Sequence, residues 1–375
     1  MKNFLNDLLY KVFRVLFVQK KKVVFISHLG KSYSCNPKYL CEYLAKHHKG
    51  ELDLVWIYTT EAPADLPDGV RAVKHFSRKS LYEICTTGCL VSNTRISNWF
   101  MFNKRKGQRY IQTWHSSLRL KCIEGDAVLP ESYVKAAKKD SSQIDFIVSG
   151  CEFSSRIYLN SFWYQGPVLS TGTPRIDYLL NTSKQEIADI YAKAKLDSNS
   201  HYLLYAPTFR NGDDIKAYDI DYNRLKDNLE ERFGGTWNIL FRLHPNLQDK
   251  VKVDDFGDSC INMTQYPDMQ ELLIISEILI TDYSSCMFDM AFIKKLCILY
   301  ASDLEHYLAN ERNLYFDIKS LPFPLAQNND ELAEIIDKHS ENNYQNSISD
   351  FMQRIGSFED GKACMRISNY ILRNK

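Results

Sequence analysis

Short apolar runs and helical stretches alternate along almost the whole chain. Runs at residues 23–27, 54–58, 89–93, 110–114 and 144–149 are built from Val, Ile, Leu and aromatic residues. So are those at 202–206, 237–243, 277–281 and 296–300, and all nine read as buried strands. Many end on polar residues, and helical sequence such as 39–46 follows. That alternation is the signature of an α/β fold with mostly parallel sheets. The clearest unit is Ile278-Leu279-Ile280-Thr281-Asp282-Tyr283-Ser284-Ser285, where an apolar strand stops at a small polar elbow. A helical pattern follows, with Met287, Phe288, Met290 and Ala291 on one side and Lys294 and Lys295 closing it. Ser284 and Ser285 stand at the expected N-cap, where the first backbone N–H groups lack intrahelical partners and the helix end carries partial positive charge. Such an elbow suits a phosphate, and it equally suits a capped helix without a ligand.

The pattern falls into two halves. Thr171-Gly172-Thr173-Pro174-Arg175-Ile176-Asp177 closes the first, polar helix-forming sequence at 184–197 follows, and a new strand opens at 202. The expected division is an N-terminal helix at 1–20, an α/β domain at 21–180 and a second at 181–375, with the last helix packing back on the first domain. Residues from about 330 onward read as surface helices. A length of 375 residues exceeds one ordinary domain and suits two. Ligands of such sheets bind outside the carboxyl ends of the strands, so the expected architecture has both sets of strand ends lining a shared cleft.

Ahead of the first strand, Phe4, Leu5, Leu8, Leu9, Val12, Phe13, Leu16 and Phe17 recur at helical spacing. Lys2, Lys11, Arg14 and the run Lys20-Lys21-Lys22 add positive charge. The pattern predicts a helix lying in the headgroup layer of an anionic membrane; the alternative is a stripe packed on its own domain. No small-residue cleavage site follows it, and no run reaches the roughly 18–20 apolar residues that span a bilayer. A net charge of +1 makes no electrostatic case for nucleic acid. Ten cysteines lie scattered without paired spacing and read as reduced thiols of a cytosolic protein.

Candidate chemistry collects at four strand ends. In the first, His115 follows the strand at 110–114, with Ser116, Ser117, Arg119 and Lys121 beyond it, a base beside a phosphate site. The second, Tyr205-Ala206-Pro207-Thr208-Phe209-Arg210, delivers a hydroxyl and a guanidinium, the latter suited to bidentate phosphate contacts. The third, Phe241-Arg242-Leu243-His244-Pro245-Asn246, carries a second histidine, and the fourth is the elbow with Asp282, Ser284 and Ser285. A lone histidine at a strand end is commonly structural, but two, each with Arg and Ser or Thr nearby, point to chemistry. His28 belongs to the same class with only Lys31 beside it, in a loop that also holds Gly30 and Asn36. No phosphate-cradling G-x-x-x-x-G-K-[ST], no G-x-G-x-x-G and no H-E-x-x-H is present. Asp282 and Asp289 are the carboxylates to weigh as ligands of a divalent ion; Asp289 lies inside the helix, and no metal site is predicted.

Taken together, these loops resemble the CDP-glycerol glycerophosphotransferase family, the teichoic-acid and capsular polyol-phosphate primases and polymerases. The matching segments are Leu29-Gly30-Lys31-Ser32-Tyr33-Ser34-Cys35-Asn36-Pro37, Tyr110-Ile111-Gln112-Thr113-Trp114-His115 and the run 172–177. They continue with Leu204-Tyr205-Ala206-Pro207-Thr208-Phe209-Arg210, Arg242-Leu243-His244-Pro245-Asn246, and the elbow at 280–285 with Met287-Phe288-Asp289. Six segments in family order make the likeness specific, and Asp360-Gly361-Lys362 adds a fainter echo.

The resemblance implies a GT-B architecture, two Rossmann-like domains facing a cleft, and a peripheral place on the cytoplasmic face of the membrane. It implies transfer of glycerol phosphate from CDP-glycerol to a hydroxyl of a lipid-linked or polymeric glycan acceptor, releasing CMP; because CMP leaves readily, the chemistry requires no cofactor and leaves assistance by a divalent metal open. His115 matches the family's proposed general base and His244 its second essential histidine; Ser284, Ser285, Thr208 and Arg210 match its nucleotide-diphosphate cradle. Gly30, Lys31, Asn36, Ser116, Ser117, Arg119, Arg175 and Asp282 complete the expected substrate-binding set. One departure stands out: where the family has Gly-Thr after its histidine, this chain has Ser116-Ser117, which bears on the acceptor or polyol pocket and leaves CDP-ribitol open as donor. The rival readings are a GT-B glycosyltransferase using a nucleotide sugar and a non-catalytic polymer-binding scaffold.

Overall fold

In the computed structural model, which describes residues 2–97, 99–100, 102–208, 220–243, 260–310 and 313–373, the strands form two sheets, and every pairing in both is parallel. The first sheet contains β1 (Gln19–Ile26), β2 (Asp53–Tyr58), β3 (Arg71–Lys74), β4 (Thr87–Ser92), β5 (Arg109–Gln112), β6 (Phe146–Ser149) and β7 (Val168–Ser170), in the spatial order 3-2-1-4-5-6-7. The second contains β8 (His201–Tyr205), β9 (Trp237–Phe241), β10 (Cys260–Asn262), β11 (Ile278–Thr281), β12 (Leu296–Tyr300) and β13 (Leu325–Ala326), in the order 10-9-8-11-12-13. Both are doubly wound: the chain leaves the central strand to one side and returns to the other. The crevice outside the strand ends at that reversal, β1/β4 in one sheet and β8/β11 in the other, is where such folds bind ligands.

The chain divides into two compact units. One comprises Met1–Ser117, Ile123–Tyr178 and Gly356–Lys375; the other comprises Leu118–Cys122 and Leu179–Ile355. In the first, alternate residues of β1 go to opposite faces. Val23 and Phe25 join Leu40, Leu44, Trp56 and Ile367 in one core layer, while Val24 and Ile26 join Ile57, Ile84, Tyr110 and Phe162 in the other. All four β1 residues are wholly buried, which is why the run reads as continuous rather than alternating.

Around the first sheet run α1 (Lys2–Arg14), α2 (Cys35–His47), α3 (Arg78–Thr86), α4 (Glu131–Ser141), α5 (Glu152–Ser161) and α6 (Pro174–Asn181). With the second run α7 (Lys184–Ala194), α8 (Tyr222–Phe233), α9 (Met269–Ile275), α10 (Cys286–Phe292), α11 (Leu304–Asn310), α12 (Asn329–Asp337) and α13 (Glu341–Arg354). Helix α13 buries Ile348 and Phe351, and the Phe351 ring stacks on Phe288 at 5.9 Å between centroids. The last helix, α14 (Ala363–Leu372), belongs to the first unit and packs on α2, with Ala363, Cys364, Ile367 and Ile371 in the core. Its N-terminus is satisfied from a distance: the Asp177 carboxylate accepts the Ala363 and Cys364 N–H groups at 2.9 and 2.7 Å.

The N-terminal segment differs from its sequence pattern in one respect. The helix stops at Arg14, and residues 20–22 open β1 instead of extending the cationic end. Lys22 is buried, its ammonium 2.6 Å from Glu83 and 2.9 Å from the Thr86 hydroxyl, so its charge is neutralised internally and adds nothing to the surface. Phe13 packs edge-on against Tyr82 of α3, whereas Leu8, Val12, Val15, Leu16 and Phe17 stay exposed.

If α14 is an integral layer of the first core, Ile367→Ala lowers stability by about 2–5 kcal/mol. Asp177→Ala, which strands two amides, lowers it by about 1–3 kcal/mol. Urea unfolding of the full chain checks both, and unchanged midpoints would contradict this packing.

Candidate active site

Over the reversal point of the first sheet, the loops that follow β1, β4 and β5 are tied to one another. The backbone N–H of His28 donates to Asn93 Oδ1 at 2.8 Å, Asn93 Nδ2 donates to Ser27 Oγ at 3.2 Å, and Ser27 Oγ donates to the Ser34 carbonyl at 2.9 Å. His115 Nδ1 lies 3.0 Å from the Asn93 carbonyl. A carbonyl only accepts, so Nδ1 carries the ring proton and the lone pair of the neutral imidazole lies on Nε2. The His28 ring stands 6.0 Å away, centroid to centroid.

The backbone that presents His115 is strained. Trp114 has φ +50°, a left-handed conformation that costs a non-glycine residue about 1–3 kcal/mol. Its surroundings hold it there. The Trp114 N–H donates to Gln112 Oε1 at 2.9 Å, its indole stacks on the His115 ring at 4.6 Å, and Phe162 meets the indole edge-on at 4.8 Å. Asn36, buried at the start of α2, donates Nδ2 to the carbonyls of Thr113 (3.1 Å) and Trp114 (2.9 Å) and accepts the Arg175 N–H on Oδ1 (3.0 Å). The Arg175 guanidinium donates to the His115 carbonyl at 2.6 Å and reaches Cys35 Sγ at 3.9 Å. Burial alone would raise the Cys35 thiol, but the His28 hydrogen bond, the Arg175 charge and Asn93 outweigh it and bring its pKa down to about 7. Asn36 and Arg175, expected to touch substrate, bond the loop that bears His115.

Two residues beyond the histidine, Ser117 Oγ donates to Glu359 Oε1 at 2.6 Å. Thr173 reaches the same carboxyl twice, its hydroxyl to Oε1 at 2.7 Å and its N–H to Oε2 at 2.8 Å. Burial pushes the Glu359 carboxyl up to about 8 against these hydrogen bonds. Gly150 and Gly172 make room for it: a Cβ on Gly150 would collide with Ser117 Oγ and Glu359 Oε1, and one on Gly172 would sit 2.8 Å from Glu359 Oε2. Ser116 is buried, Gly30 forms a buried turn after β1, and Lys31 beside it is exposed.

The reversal point of the second sheet is built in the same manner. The Asp282 carboxylate accepts the Thr208 N–H at 2.9 Å and the Tyr283 N–H at 2.6 Å, joining the loop after β8 to the elbow after β11. Thr281 Oγ1 donates to the Ala206 carbonyl at 2.6 Å. Helix α10 begins at Cys286, and Ser285 before it is already in the right-handed helical region (φ −67°, ψ −4°). A capping side chain needs an extended backbone, so Ser285 makes no capping bond, and Ser284 Oγ accepts the Cys286 N–H at 3.4 Å instead. Both serines remain half-buried.

Arg119 falls in the second unit, on the Leu118–Cys122 segment that bridges to residues 313–315, while His115, Ser116 and Ser117 fall in the first. Arg210 and His244 lie outside the described residues. Asp289 accepts Gln270 Nε2 at 3.0 Å inside the fold. Among the described residues, no group of three His, Cys, Asp or Glu side chains stands where it would hold a metal ion. Sequence reasoning passed over Asn93 and Glu359 and left His28 out of the expected site. Asn93 follows β4 at the reversal point, a placement that topology marks; His28 stands in the candidate class with only Lys31 beside it; Glu359 abuts the faint Asp360-Gly361-Lys362 echo.

Residues 8–373 match the family described as CDP-Glycerol:Poly(glycerophosphate) glycerophosphotransferase. A teichoic acid glycerol-phosphate transferase of Staphylococcus aureus is 30% identical, covering 99% of this chain and 98% of the relative. A teichoic acid poly(glycerol phosphate) polymerase of Bacillus subtilis is 28% identical over 98% of this chain, which spans about half (52%) of that polymerase's length. Among solved structures, a variant of the wall teichoic acid polymerase TagF soaked with CDPG superposes with a TM-score of 0.85 at 29% identity, covering 100% of this chain and 93% of that one. With nearly its whole length matched and its α/β units superposing on a solved member, the chain belongs to the CDP-glycerol:poly(glycerophosphate) glycerophosphotransferase family.

Proposed function

We propose that the chain transfers glycerol phosphate from CDP-glycerol to a hydroxyl of a lipid-linked or polymeric glycan in teichoic-acid synthesis, releasing CMP. The single observation that carries the mechanism is the His115 Nδ1 hydrogen bond to the Asn93 carbonyl, which leaves Nε2 as the basic nitrogen. The acceptor hydroxyl gives its proton to Nε2 as its oxygen attacks the phosphorus bearing glycerol. The bond from that phosphorus to the bridging oxygen breaks, and the oxygen leaves with CMP. A positioned base of this kind contributes about 10²–10⁴-fold to the rate.

In this reading Thr208, Ser284 and Ser285, with Arg210 and His244, hold the diphosphate and stabilise charge on the departing CMP. Asp282 shapes that cradle through backbone amides. At the Ser116-Ser117 departure, Ser116 is buried and Ser117 is bonded to Glu359. The names of the S. aureus and B. subtilis relatives and the CDPG soak of the solved polymerase support the glycerol donor. The exposed apolar residues at and after the end of α1 support peripheral contact with an anionic membrane at its cytoplasmic face. No described helix is long and apolar enough to cross one.

Mass spectrometry of products formed from CDP-glycerol, CDP-ribitol and a UDP-sugar with a lipid-linked acceptor is expected to show glycerol phosphate addition and CMP. UDP release would instead point to a glycosyltransferase. His115→Ala is expected to lower kcat by about 10²–10⁴-fold with nucleotide affinity within a few-fold; near wild-type turnover removes the base assignment. Replacing Leu8, Val12 and Phe17 together by Ser is expected to abolish co-sedimentation with anionic liposomes while leaving the melting temperature in place. Undiminished binding refutes the membrane reading.

A further inference from the structure

The segment 115–117 and the segment 173–175 run side by side, joined by two rungs. At one, the Arg175 guanidinium meets the His115 carbonyl directly. At the other, Ser117 and Thr173 do not meet directly; both bond the Glu359 carboxyl, which arrives from the loop before α14, 242 residues beyond Ser117. The contact is built for a carboxyl. Three donors from two loops converge on its two oxygens, and two glycines leave the space it occupies. Resting on the base assignment above, we propose that Glu359 is a positioning residue for the transfer reaction, setting where His115 stands by tying its loop to the turn after β7.

Two constraints on the base loop follow. Upstream, Trp114 is held in a strained conformation by Asn36; downstream, Ser117 is held by Glu359. Release of either end lets the strained elbow relax and swing the imidazole, and a displacement near 1 Å costs a reaction of this kind about 100-fold. The charged and titratable neighbours of Glu359 among the described residues are Asp177 on α6, Asp360 next to it in sequence, and Cys364 and Arg366 in the first turn of α14. Arg366 is engaged by Asp360 and by the Thr171 carbonyl, and among the described residues no cation pairs directly with Glu359; hydroxyl and amide donors hold it. A carboxyl with a pKa near 8 in such a place keeps the rung in either protonation state, because its oxygen accepts from one hydroxyl whether or not it donates to the other.

The test compares full-length wild type, Glu359→Ala, Glu359→Gln and Ser117→Ala in two readouts. In steady-state transfer from CDP-glycerol, Glu359→Ala is expected to lower kcat by about 10- to 100-fold with KM for the donor within about threefold. Glu359→Gln, which keeps one acceptor oxygen, recovers much of that loss. The Glu359→Ala, Ser117→Ala double variant falls no further than Glu359→Ala alone, since both cut the same rung. In hydrogen exchange, which reads position without activity, the amides of residues 112–118 exchange faster in Glu359→Ala while those of β1 and β4 do not change. Wild-type kcat together with unchanged exchange in Glu359→Ala overturns the proposal, as does a loss of kcat matched by general exchange throughout the unit. If the exchange change appears but His115→Ala still turns over normally, the base assignment has failed and the tether has not.

Discussion

The hydrogen bond from His115 Nδ1 to the Asn93 carbonyl is the constraint on which the rest of the first unit's chemistry depends. It joins the ends of two neighbouring parallel strands, β4 and β5, and so ties the tautomer of a side chain to the geometry of the sheet. A side-chain acceptor at this place would leave the tautomer free, since a carboxamide can turn either end inward. The carbonyl cannot. To meet it the backbone turns through the left-handed conformation of Trp114, and the buried polar network around Asn36 and Arg175 keeps that conformation occupied.

The two units use one device at their reversal points. In each, a buried polar side chain near a strand end satisfies backbone groups of a neighbouring loop: Asn36 at the start of α2 on Thr113, Trp114 and Arg175, and Asp282 of the elbow on Thr208 as well as on its own neighbour Tyr283. Loops have no ladder to pair their N–H and C=O groups, and burial beside a sheet makes any unpaired group expensive. A short side chain with two polar atoms fills that role and holds neighbouring loops at a set distance. Asn36, Arg175 and Asp282, which sequence reasoning places on the substrate, bond the loops that bear the hydroxyls and the imidazole.

The chain's C-terminal segment completes this arrangement. Asp177 receives the first amides of α14, and Glu359 just ahead of that helix bonds the loop that bears His115. Both carboxyls are raised by burial, and both are held by hydrogen bonds to their own unit. The C-terminal segment thus packs the core through α14 and bonds the loop bearing His115 through Glu359.

The sequence alone determined the architecture wherever burial is two-sided. All nine strands legible as apolar runs lie inside the two sheets, covered on both faces, where only hydrophobic residues are tolerated. The four it did not reveal, β3, β7, β10 and β13, are the edges, two to four residues long and partly exposed, so no hydrophobic run marks them. The histidine at the end of β5 and the serine elbow after β11 were equally legible, because polar residues directly after a buried strand are conspicuous. Their partners were decided by tertiary structure. That Lys22 is paired inside with Glu83, that Asn36 and Arg175 bond the loop bearing His115, and that Glu359 answers Ser117 all depend on side chains meeting across tens to hundreds of residues. Periodicity records which face of an element is buried; it carries no information on which polar groups will find each other there.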